Sequence, residues 1–238
     1  MCPDLQRQRG AALLILVALA GLGAATLLIS AFGRNTLEAA RERRTQYALA
    51  EAKDALVGYA LAHGRLPRPA ISGRDGRENP LPCTSEQSCT GIIAWVTLGI
   101  DGADGWSKLL RYSVTPEFTS TPLDASAAAS KTVLGRASDG ALHYLAGHPV
   151  CSRDVQCVPV VIFSHGKNNL GTSAAGVAQA NASNTNGDEV QNDIATNNFM
   201  SRAASSDPGV AGGEYDDMVA WIELKTLFNR MNAARALR

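Results

Sequence analysis

The sequence has no net charge: Lys+Arg and Asp+Glu number 22 each in 238 residues. No field of one sign favours nucleic acid as a partner. No Gly-x-Ser-x-Gly elbow occurs. Of the four histidines, His63, His143, His148 and His165, the two at 143 and 148 are five apart without an acidic partner that spacing would place, and Ser164-His165 are merely neighbours. The expectation is that the chain is not an enzyme. Tight C-x2-4-C spacing, the usual mark of zinc, is also absent. Apart from Cys2, the cysteines form two pairs, Cys83/Cys89 and Cys151/Cys157, each with five residues between. Even numbers in local pairs point to disulfides and an oxidising compartment, with zinc as the rival reading and the connectivity left open.

Charge is missing altogether from 11–32, an uninterrupted apolar run. At ~1.5 Å per helical residue this run reaches ~33 Å, just over the ~30 Å hydrocarbon core of a bilayer. It is too long for the ~7–15-residue core of a removable secretory signal, and no A-x-A site with a polar break follows it. A membrane-spanning segment is expected. Flanking charge does not orient it, since Arg7 and Arg9 face Arg34, Arg41, Arg43 and Arg44 across the run. About 200 residues remain beyond it, enough for one domain with its own core.

Proline is missing from 34–63, where Ala48, Ala52, Ala55, Leu56 and Tyr59 recur at helical spacing. The spacing predicts a helix continuing the membrane run, with Gly21 and Gly23 as weak points. Gly64, followed by Pro67, ends it. The tract 68–82 reads as loop, 91–100 as a strand or buried loop, and 108–115 as a strand. An exposed loop is expected over 119–130 and strands over 141–146 and 157–164. The stretch 169–215 is a long loop of Asn, Ala, Gly and Ser. The C-terminal 223–237 reads as an amphipathic helix through Leu224, Leu227, Phe228 and Met231.

A short basic leader ending in Gly10, followed by Ala11-Ala12-Leu13-Leu14-Ile15-Leu16, resembles the class III signal of type IV pilins and type II secretion pseudopilins. Further signals follow in the order of the major pseudopilins. They are Tyr59 with Gly64-Arg65-Leu66-Pro67, Asp104-Gly105-Trp106-Ser107 before a strand, Ser164-His165-Gly166, and Asp216-Asp217 before an apolar strand. The resemblance implies cleavage by a prepilin peptidase between Gly10 and Ala11, with methylation of the new N-terminus. It also implies assembly through the helix surface at Leu14, Ile15 and Leu16. The family usually carries glutamate at the position of Ile15, where it helps dock an incoming subunit. Replacement there occurs mainly among minor subunits, and with the long 169–215 tract it points to a minor one.

In the resembling family the loop before the last strand binds calcium. Carried over, Asp216 and Asp217 are the candidate ligands, with the Asn168 carbonyl a weaker third. The alternative for both aspartates is an exposed turn or a cap. A partial EF-hand match over 184–193 fails at its first ligand, Ala182, and reads as chance.

The expectation is thus an α+β, pilin-like fold. Residues 1–10 are leader, 11–32 the transmembrane half and 33–63 the soluble half of a long N-terminal helix, and 64–238 a periplasmic domain with a small antiparallel sheet. Expected partners are other pilin or pseudopilin subunits, the prepilin peptidase and an inner-membrane assembly platform. The protein would sit in the inner membrane as a single-pass chain, or in a periplasmic or extracellular filament. The rival is a permanently anchored periplasmic binding or hydrolase domain.

Overall fold

Helix α1 runs from Arg7 to His63, 57 residues without a break. The computed structural model describes residues 7–152 and 156–236, and side chains at 7–12, 21 and 23–35 also lie outside the description. The expected leader 1–10 and the processing pair Gly10 and Ala11 therefore lie wholly outside the described side chains. The expected span 11–32 has described side chains only at 13–20 and 22. Among the described residues no helix is long and apolar enough to cross a membrane. The chain divides into two units, Met1–Glu42 and Arg43–Arg238. In the first, Leu13, Leu14, Ile15, Leu16, Val17, Leu19 and Leu22 are all exposed.

In the second unit α1 buries Thr45, Leu49, Ala52, Leu56, Val57, Tyr59 and Ala60. This stripe is turned slightly from the expected one, since Ala48 and Ala55 are only partly buried while Leu49 and Ala60 lie at its centre. The helix stops where expected: Gly64 takes φ +68° and donates its N–H to the Ala60 carbonyl at 2.9 Å. That left-handed turn suits glycine.

Among the described residues seven strands follow. Strands β1 (Thr90–Ile92), β2 (Arg111–Val114), β5 (Val160–Ser164) and β7 (Met218–Ile222) form one antiparallel sheet in the order β1-β2-β5-β7. Strands β3 (Thr132–Arg136), β4 (Leu142–Ala146) and β6 (Asn198–Met200) form a second, ordered β4-β3-β6. Its β3–β6 pair is parallel. The small antiparallel sheet is as expected, and the mixed second sheet is new. The region 91–100 divides into β1 and a short helix α2 (Trp95–Leu98).

Strand β5 is the pivot. Val160 and Ile162 join Leu110, Tyr112 and Val114 in the core beneath α1 and the C-terminal helix α4 (Leu224–Ala233). Val161 and Phe163 point the other way, to Val133, Ala146, Val158 and Phe199. Period-two alternation with apolar residues on both faces makes β5 an unbroken apolar run. Helix α4 lies on its own domain through Leu224, Leu227 and Met231, and Phe228 stacks on Phe118 at 5.8 Å. The loop over 119–130 is present, pinned by buried Leu123 and Ala129. Both cysteine pairs close locally, Cys83–Cys89 with Cα atoms 5.1 Å apart and Cys151–Cys157 with 5.6 Å.

The expected long loop 169–215 is corrected in part, because it contains helix α3 (Gly187–Asp193) and β6. Side chains rather than apolar periodicity hold this tract. Asn192 imitates a strand partner: its Oδ1 accepts the Met200 N–H at 2.7 Å and its Nδ2 donates to the Met200 carbonyl at 3.0 Å. Buried Asp188 takes two guanidinium groups, Arg136 at 2.6 and 3.0 Å and Arg202 at 2.7 Å. Arg202 also lies over the Tyr215 ring at 4.6 Å.

Candidate functional site

The sequence signals after α1 turn out to be anchoring points. Arg65 forks onto Glu78 at 2.5 and 3.0 Å, and Tyr59 donates to the same carboxylate at 2.8 Å. Burial opposes ionisation of Glu78, but Arg65, the Arg68 N–H and Tyr59 outweigh it and hold its pKa below the usual value. Burial and the neighbouring Glu78 push Tyr59 up to about 12. The helix end and the 68–82 loop are thus joined by one half-buried carboxylate.

The next three signals meet. Asp104 is buried, and its Oδ1 accepts the backbone N–H groups of Trp106 and Lys108, both at 2.8 Å. Its Oδ2 accepts the Ser164 hydroxyl at 2.5 Å, and Ser164 Oγ in turn accepts the Gly166 N–H at 2.9 Å. The Gly105 N–H donates to Thr45 Oγ1 on α1 at 2.9 Å. Gly166 has φ +54°, and a Cβ there would run into the carbonyl and carboxylate of Asp216. Beyond it, Lys167 and Asn168 donate their N–H groups to Asp216 Oδ2 at 3.1 and 2.9 Å.

Of the 216–217 pair Asp217 is buried and Asp216 half-buried, so neither stands in a fully exposed turn. Asp217 is buried; its Oδ1 accepts from His165 Nδ1 at 3.3 Å and its Oδ2 from Asn192 Nδ2 at 2.7 Å. Carboxylate oxygens of Glu189, Asp216 and Asp217 lie within 4.8 Å of one another. Glu189 accepts the Asp216 N–H at 2.8 Å and the Asn186 amide at 2.7 Å. Burial first, then the Asp217 and Asp216 charges, push Glu189 up to about 7 against the pull of its two donors. Burial also raises Asp216, with the Asp217 charge adding to it and the Asn168 N–H opposing.

Two basic groups face this acidic group. His165 is buried, with Nε2 3.3 Å from Asp193 Oδ1 and its ring edge against Phe163 at 5.2 Å. Burial works against its charge, yet Asp193 and Asp217 prevail and raise it to about 8. The second is Lys108, whose ammonium donates to the carbonyls of His165 at 3.3 Å, Asn169 at 2.7 Å and Asn168. Burial lowers its pKa, while Asp216, Asp104, Asp217 and Glu189 pull it back up.

The expected calcium positions are therefore neighbours: buried Asp217 and half-buried Asp216 share one acidic cluster with Glu189, and exposed Asn168 meets Asp216 through its N–H while its carbonyl faces Lys108. Lys108, Glu189 and His165 were missed as members. Only the tertiary fold brings Lys108 and Glu189 to the loop, although Lys108 sits four residues after Asp104. In the EF-hand-like stretch 184–193, Asp188 pairs with Arg136 and Arg202, and Asp193 lies beside His165. Ser164 gives its proton to Asp104 rather than to a histidine. Gly10 and Ala11 lie on α1 outside the described side chains, whereas Leu14, Ile15 and Leu16 are exposed on it. Comparison with family models, with curated proteins and with solved structures finds no match to this chain.

Proposed function

We propose that this chain is a structural subunit, a minor one, of a type II secretion pseudopilus or type IV pilus. The carrying observation is the exposed apolar surface of α1. Leu14, Ile15 and Leu16 stand 61–70% exposed, and Leu13, Val17, Leu19 and Leu22 join them on every side of the helix. A helix apolar all round must be covered by lipid or by other apolar helices. A pilin meets both needs in turn, first in the inner membrane and then among neighbouring subunits of a filament.

The remaining features agree with that reading. Two disulfides suit a periplasmic domain carried outside the inner membrane. Ile15 lacks the carboxylate that would pair with a neighbour's N-terminal amine, so apolar packing alone drives docking, as suits a minor subunit. The prepilin peptidase and the assembly platform are the partners this reading requires.

N-terminal sequencing of the membrane-extracted chain tests it. The expected mature start is Ala11, lost in cells without a prepilin peptidase. An intact Met1, or turnover of a substrate by the isolated chain, would favour the permanently anchored binding or hydrolase domain instead.

A further inference from the structure

A calcium ion collects six to eight oxygens at about 2.3–2.6 Å. Here the oxygens such an ion would gather are already engaged. The carbonyls of His165, Asn168 and Asn169 converge on the Lys108 ammonium. Asp217 spends one oxygen on His165 and the other on Asn192. Glu189 spends one on the Asp216 N–H and the other on Asn186. Among the described side-chain oxygens only Asp216 Oδ1 is buried without a hydrogen-bond donor. The residues present do not fit a calcium ion while Lys108 stays where it is.

We propose that Lys108 is the resident cation of this loop: its ammonium gathers the three carbonyls and faces the acidic cluster, so the domain folds without a metal ion. The lysine is placed for this by its own chain. Asp104 Oδ1 fixes the Lys108 N–H at 2.8 Å, and Leu109 N–H bonds the Thr172 carbonyl at 2.7 Å, so the side chain is fed into the loop from beneath. The Lys108 residue is only 2% exposed. Gly171, with φ +86°, packs its Cα side against the Lys108 stem, where a Cβ would lie 3.3 Å from Cδ. A tethered cation carries no dissociation constant, so chelators and calcium depletion do not reach it.

The inference stands apart from filament assembly, because its test reads only the folding of the domain. The full chain, held in mild detergent, is unfolded thermally while tryptophan fluorescence is followed. Measurements are made in EDTA, in ~5 mM calcium and in ~5 mM magnesium. That calcium level is several times the ~0.1–1 mM dissociation constants of extracellular calcium modules. For the wild-type chain Tm is expected to be the same in all three. Lys108→Ala strands three carbonyls and removes the charge facing the carboxylates. It is expected to lower Tm by ~6–12 °C in EDTA. Calcium, but not the stricter octahedral magnesium, is expected to restore at least half of that fall.

A wild-type Tm that rises in calcium and falls in EDTA overturns the proposal. So does a Lys108→Ala chain that keeps the wild-type Tm without a metal, or one whose loss calcium leaves untouched. If Lys108→Ala does not fold in EDTA, the readout is the folded yield on refolding with and without calcium. A yield unchanged by calcium then overturns it, and a yield recovered by calcium supports it.

Discussion

His165 makes the domain's stability depend on pH just above neutrality. Its imidazole is buried between two carboxylates, with Asp193 Oδ1 and Asp217 Oδ1 each 3.3 Å away. Those partners raise it from 6.5 to about 8 against the opposing effect of burial. At ~1.4 kcal/mol per pH unit, the rise corresponds to about 2 kcal/mol of stabilisation. The folded value lies above the unfolded one, so this stabilisation is complete below pH ~6.5 and is lost as pH climbs through ~8. The perturbation is a pH series from ~6 to ~9 on the full chain in detergent. Urea unfolding gives the stability, and ring-proton NMR gives the titration of the histidine itself.

Other groups in the cluster require a reference variant. Glu189, raised from 4.5 to about 7, loses its contribution in the same direction over a lower window. Lys108, whose pKa burial lowers, acts in the opposite direction at higher pH. His165→Gln removes the titrating ring and leaves both in place. The expected result is a wild-type advantage that shrinks by about 2 kcal/mol between pH ~6 and ~9. A ring that titrates at or below ~6.5, or a wild-type-to-variant difference that stays flat with pH, would refute the reasoning.

Two further outcomes follow from the geometry. Ser107 is exposed and holds φ 62°, a left-handed conformation that costs a side chain ~1 kcal/mol or more, so Ser107→Gly is expected to raise Tm by ~2–4 °C; a lower Tm in thermal unfolding would count against strain at this turn. Asp188→Ala leaves two largely buried guanidinium groups, Arg136 and Arg202, without their shared carboxylate, and is expected to cost about 3 kcal/mol in urea unfolding; a loss under ~1 kcal/mol would mean that the pairs are no better than surface ones.

Local chemistry made much of the architecture readable. The proline-free helix with its Gly64 stop, the apolar β5 run and the amphipathic α4 each follow from short-range periodicity. The disulfides agree with the local pairing of the cysteines, although spacing had left their connectivity open. Strand β3 escaped because Thr132-Val133-Leu134-Gly135-Arg136 is short, carries a glycine and lies beside a polar loop. The 169–215 tract escaped because its order comes from hydrogen bonds that cross the fold, such as Asn192 to Met200 and Asp188 to Arg136. No pattern along the chain announces a partner 52 residues away.

By itself the sequence determined the apolar N-terminal run, the helix that continues it, the chief strands and the pairs of acidic and cysteine residues. These depend on composition and spacing over a few turns or a few strand residues. The tertiary structure decided what surrounds the acidic pair. Folding brings Lys108 from before β2, His165 from the end of β5 and Glu189 from α3 around Asp216 and Asp217. Whether two aspartates make a metal site or the anionic half of an internal ion cluster depends on which cations face them. In this chain those cations arrive from distant segments, through long-range contacts that spacing does not encode.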